Sequence, residues 1–172
     1  MSTLIDSIRG EYLRYKRLAE GAIAQVRDDE LMNAGDESNS IAVICQHLSG
    51  NLRSRFTDFL TTDGEKPWRD REAEFDRRAI SRATLLEEWE SGWSALLTSL
   101  DSITDADLRR TVTIRQQPLL VHEALHRSLA HTAYHVGQIV YLAKTARGPA
   151  WTSLSIPRGQ SDTYNKNPTR ER

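Results

Sequence analysis

Apolar residues recur at alternating steps of three and four through the long segments, and 9 Gly and 5 Pro in 172 residues rarely interrupt them. Such a period is that of an amphipathic helix, and it predicts four of them. Ile5, Ile8, Tyr12, Tyr15, Ala19, Ala22 and Val26 form the first stripe, with Thr3 as its cap and Asp28-Asp29 followed by Gly35 as its close. The second helix is expected from the cap Ser40 to about Leu60, with Ile44, Leu48, Leu52, Phe56 and Phe59 on its stripe. Thr84-Leu-Leu-Glu87 fits a capping box and opens the third, which carries Leu85, Trp89, Trp93, Leu96 and Leu100. A fourth runs from about Leu120 to Lys144. It is apolar over more of its circumference than the others and should be buried deepest.

The connections suggest how the helices are arranged. About ten residues separate the first two helices, which suits antiparallel neighbours. The segment from Thr61 to Ile80 exceeds ordinary loop lengths and could cross from one end of a four-helix bundle to the other, leaving helices two and three parallel. Before the fourth helix, Thr111-Val-Thr-Ile114 and Pro118-Leu-Leu-Val121 are compatible with a short hairpin, Pro118 then taking an edge position. The expected fold class is all-α, a bundle over residues 1–147 and a tail over 148–172. Gly148-Pro149 ends the last helix, and Trp151, Leu154, Ile156 and Tyr164 should dock the tail to about residue 164, with the last eight residues fraying.

Charge and cysteine usage narrow the function. Lys+Arg is 23 and Asp+Glu is 24, a net charge of -1, which argues against a surface built to grip nucleic acid or anionic lipid. The lone Cys45 points to a reducing compartment. With neither a spanning apolar run nor the pattern of a signal peptide, a cytoplasmic protein with no membrane partner is expected.

All five histidines fall on predicted helices. His122/His126 and His131/His135 are both i,i+4 pairs, which put two imidazoles on one helix face about 5–6 Å apart at Cβ and suit one metal ion. At 100° per residue, His131, His135 and Gln138 lie within about 60° of one another, on an arc that borders the bundle interior. His122 and His126 point to the opposite side and read as solvated or interface residues. A third ligand must come from another helix, and His47 remains, at the edge of its apolar stripe with Asn51 and Arg55 following at steps of four. The Trp and Tyr residues at helical spacing read as core, and Arg69-Asp70-Arg71 and Arg77-Arg78 as solvated charge. Gly137 would permit close helix approach.

The string His131-Thr-Ala-Tyr-His135-Val-Gly137-Gln138-Ile139 resembles the His-x-x-x-His-x-Gly-Gln-Ile signature of the DinB-like superfamily, bacterial four-helix metalloproteins. Tyr15-Lys16-x-Leu18-Ala19-Glu20, His47-Leu-Ser-Gly-Asn-Leu-Arg-Ser-Arg55-Phe56, Trp89-Glu-x-Gly92-Trp93 and Ser153-Leu-Ser-Ile-Pro-Arg-Gly159 are similar to one branch of it, a domain of unknown function. The resemblance implies an up-down-down-up bundle with the long crossover between helices two and three. It also implies a divalent metal held by His47, His131 and His135, and carries nothing over to His122 or His126. Characterised relatives include S-transferases that use bacillithiol or similar low-molecular-weight thiols and a mycothiol-dependent maleylpyruvate isomerase. A small-molecule thiol and an electrophile are thus the implied partners, and a homodimer the implied assembly.

Three neutral imidazoles leave an open coordination position and are compatible with zinc, nickel or iron(II). Thiol activation and water activation both suit such an ion. A hydrolase also wants a carboxylate base, as in His-Glu-x-x-His, yet Thr132 and Ala133 follow His131 and no Asp or Glu lies within a turn on that face. Thiol transfer is therefore the favoured expectation. The alternatives are a hydrolase using a carboxylate from another helix and a non-enzymatic module with a structural metal. Asn51, Arg55 and Gln138 are the expected groups for orienting the ligands or substrate.

Overall fold

The structure is a computed structural model that describes residues 3–33 and 39–168. It is mostly helical, with one small antiparallel sheet. Helix α1 covers Leu4–Ile23 and starts where its cap predicts: Thr3 Oγ1 accepts from the Asp6 N–H, and the Asp6 carboxylate accepts from the Thr3 N–H. It buries Ile5, Ile8, Tyr12, Ala19 and Ala22, while Tyr15 is half-buried. The helix stops before Val26, and a separate short helix α2 begins at Asp28–Met32. The acidic pair that was expected to close the first helix instead opens the next, where its charge complements the helix N-terminus. The expected stop at Gly35 lies outside the described residues.

Helix α3, Ile41–Phe56, is the second predicted helix and is capped by Ser40 Oγ, which accepts from the Val43 N–H. It ends four residues short of Leu60 because Thr57 turns extended and Asp58 takes a left-handed φ of 49°. Twelve of its sixteen residues are buried, against nine of the twenty-seven in the last long helix, so α3 and not the fourth predicted helix is the deepest element. The reason is its position: the two long helices that follow in the chain both pack on it, and the turn at Ala73–Phe75 covers another side. Helix α4, Arg82–Asp101, begins earlier than the Thr84 box predicts, since Ser81 Oγ accepts from the Thr84 N–H and takes the cap. Trp89 and Trp93 are core residues. Gly92 lets α3 and α4 approach closely: a Cβ there would meet the Ser49 backbone at 2.7 Å.

A 3₁₀ turn at Asp105–Arg109 leads to β1, Thr111–Ile114, which pairs antiparallel with β2, Gln117–Leu120. Pro118 sits opposite Thr113 on a sheet that is all edge. The two turn residues, Arg115 and Gln116, both have positive φ, as a two-residue hairpin turn demands. The long segment between α3 and α4 supports that turn, because Asp63 accepts from the Arg115 and Gln116 N–H groups at 2.8 and 2.7 Å. Helix α5, Val121–Arg147, is about 40 Å long and packs against α1. It ends just before Gly148-Pro149. Gly137 has open space where a Cβ would lie, so it makes no close helix contact.

The tail returns to α1. Gln25 exchanges hydrogen bonds with the Thr152 backbone, and Leu154 lies against Gly21. The last described element is α6, Ser161–Lys166, which is helical beyond residue 164; residues 169–172 of the expected frayed end lie outside the described residues.

Candidate metal centre

Two helices and the long segment between α3 and α4 bring the site together. His47 projects from the middle of α3, and His131 and His135 lie one turn apart on α5. One ring nitrogen of each lies within 4.8 Å of the others. The His47 and His131 Nε2 atoms are 3.2 Å apart, close to the roughly 3.3 Å that two nitrogens on one tetrahedral zinc ion would show. The ring centroids are separated by 5.2 Å (His47–His131), 4.9 Å (His47–His135) and 4.6 Å (His131–His135).

Partners on the far side of two rings fix their orientation. His47 Nδ1–H donates to Glu74 Oε2 at 2.9 Å, and His135 Nδ1–H donates to Gln138 Oε1 at 2.7 Å. With those protons committed, each Nε2 presents a lone pair, that of His47 toward His131. His135 Nε2 and His131 Nδ1 are buried without a hydrogen-bond partner, a costly state for a polar atom in a protein interior. Burial, reinforced by His135, His47, Arg69 and Arg55, pushes the His131 imidazole down to about 3. Burial also brings His135 down to about 4 against the opposing hydrogen bond to Gln138, with His47 adding to the fall. His131 and His135 are therefore neutral near pH 7, the form a cation requires. These three histidines could hold a metal ion, and their donor atoms fit one.

Glu74 escaped the reading of the sequence. It rides on the turn at Ala73–Phe75 and reaches His47 through a notch at Gly50, where a Cβ would collide with Glu74 Oε1. Arg69 grips the same carboxylate with Nε at 2.7 Å and Nη2 at 2.8 Å. Burial would raise the Glu74 carboxyl, but hydrogen bonds from Arg69 and His47 outweigh it and hold the group below the usual range. The Arg69 side chain is 2% exposed, which corrects the view of that charged run as solvated; Arg71, in contrast, is open to water. The unusual length of the segment between α3 and α4 was the signal that it does something.

Above the rings lies a cavity of about 490 Å³, whose lining includes Asn51, Arg55, Gln138, Phe75 and Tyr134. Of the three residues expected beside the ligands, Gln138 bonds an imidazole directly. Asn51 faces the cavity, and Arg55 binds the Gly64 carbonyl and Glu65 rather than a histidine. His122 and His126 stand apart. Their rings are 6.2 Å from each other, His122 Nδ1–H donates to the Leu108 carbonyl, and His126 is exposed.

Fold and site together define a mostly helical protein with a candidate three-histidine metal centre. The chain belongs to the family described as a protein of unknown function, DUF1572, whose model matches residues 2–160. No curated protein and no solved structure matches it. Among the described residues, no helix is long and apolar enough to cross a membrane.

Proposed function

We propose that His47, His131 and His135 hold a divalent cation (zinc, nickel or iron(II)) and that the protein is a metal-dependent transferase joining a low-molecular-weight thiol to an electrophilic small molecule. The bundle is then of the up-down-down-up kind found in DinB-like proteins, with residues 57–81 as its crossover. A divalent ion held by these three neutral nitrogens would supply the Lewis acidity that lowers a thiol's pKa toward neutral.

The chain's own residues favour thiol transfer over hydrolysis through one observation: among the described residues, no carboxylate lines the cavity. Glu74, the carboxylate bonded to a ligand ring, has both oxygens committed to Arg69 and His47 and meets the far nitrogen of that ring. It orients His47 and is not placed to take a proton from water in the cavity. Gln138 does the same for His135, while Phe75 lies tilted against the His47 ring and Tyr134 against that of His135. In the transfer, a carbon–sulfur bond forms at the electrophilic carbon, the leaving group departs with its electron pair, and the thiol proton passes to solvent.

The test is loss of free thiol from a panel of low-molecular-weight thiols with monobromobimane as electrophile, measured above the uncatalysed rate. Turnover that vanishes on chelation and in His135→Ala supports the reading. Ester hydrolysis without any thiol would replace it with a hydrolase. Absence of both activities, with a large fall in melting temperature on chelation, would leave a structural metal.

A further inference from the structure

Arg55, Arg69, Arg71, Arg115 and Arg127 all line the cavity over the imidazoles, although the whole chain carries a net charge of -1. This concentration of guanidinium groups is local and only partly neutralised. Arg55, Arg69 and Arg115 share two carboxylates, Glu65 and Glu74, which both lie outside the lining. Arg71 pairs with Glu72 at the surface.

Two groups are left over. Arg127 stands on α5 one turn before His131, on the same helix face, and its side chain makes no ion pair or hydrogen bond among the described residues. Arg69 Nη1 is buried without a hydrogen-bond partner, and its nearest carboxylate oxygen, on Glu65, is 4.0 Å away. A planar guanidinium matches an oxyanion through paired N–H donors, and in a partly enclosed site that attraction is weakly screened. The volume suits a small molecule and is too small to admit a polymer.

We propose that this cavity is an oxyanion site, in which Arg127 and Arg69 hold a carboxylate or phosphate group of a small ligand beside the three imidazoles. If the transferase reading above holds, on which this assignment of substrate class rests, then the thiol or its acceptor is an anionic molecule. Arg127 makes the first contact because it is exposed and unpaired; Arg115 and Arg55 add field without needing to leave Glu65.

Calorimetric titration with succinate and with inorganic phosphate tests this on wild type, Arg127→Gln and Arg127→Glu, each zinc-loaded and EDTA-treated, with circular dichroism to confirm folding. Saturable binding is expected in the EDTA-treated wild type. It should weaken about tenfold in Arg127→Gln, vanish in Arg127→Glu and fall with added salt. The tighter of the two anions identifies the carboxylate or phosphate source. No saturable binding by EDTA-treated wild type, or equal affinity in all three proteins, overturns the proposal. Anion binding that persists in a protein with no thiol turnover would sink the transferase reading alone, and turnover without anion binding would sink this one alone.

Discussion

Glu74 and His47 are 27 positions apart in the chain and meet at 2.9 Å, carboxylate to Nδ1–H, deep in the protein. That contact holds the His47 ring with Nε2 toward His131, and it depends on Gly50 having no side chain. Glu74→Gln and Gly50→Ala are both expected to weaken zinc binding by about ten- to a hundredfold, the usual cost of losing a ligand's outer hydrogen bond. Competition against a chromophoric chelator measures it. Wild-type affinity in both variants would show that the carboxylate does not orient the ligand.

The two histidine pairs on α5 have identical spacing, and only one faces His47. Metal analysis after purification should find the ion in wild type and in a His122→Ala, His126→Ala double variant. It should be lost from a His131→Ala, His135→Ala double variant. Equal content in all three proteins would remove the proposed centre.

The helices and the pairing of His131 with His135 were legible in the sequence because both follow from a single period, whereas His47 was reached by elimination and by resemblance. An apolar stripe marks a helix, and residues four apart share a face. What could not be read was anything set by packing between segments. The depth of α3 depends on how many neighbours cover it. The early start of α4 is a competition between two hydroxyls, Ser81 and Thr84, that local spacing leaves open. Asp28 and Asp29 are equally good as the end of one helix or the start of another, and tertiary burial of Leu31 decides for the start. Glu74 and Arg69 lie on an aperiodic segment, where no rule of spacing predicts direction. Their buried pairing needs the notch at Gly50, visible only once α3 is in place.

Gly92 marks where α3 and α4 come closest, its missing Cβ 2.7 Å from Ser49 Cα and 2.8 Å from Ser49 O. The obstacle is backbone and cannot swing away. Gly92→Ala should therefore destabilise the protein by about 1–3 kcal/mol despite alanine's better helix propensity. Urea unfolding measures the change. An unchanged or higher midpoint would mean that the two helices separate at little cost.

Acid should act on this protein through its imidazoles before its carboxylates. In the fold, burial holds His131 at about 3 and His135 at about 4, while in the unfolded chain both return toward 6.5. Between about pH 6.5 and 4 the unfolded chain therefore binds protons that the native site refuses. Stability contributed by these two rings is fully present above pH 6.5 and is lost progressively as the pH falls through about 4 for His135 and about 3 for His131. Urea midpoints of EDTA-treated protein should fall between pH 7 and 4.5, and fall less in His131→Phe, which has one fewer ring to protonate. With zinc present the decline should be steeper, because only neutral nitrogens hold the ion. Superimposable pH profiles for wild type and His131→Phe would show that His131 is not held neutral by its surroundings.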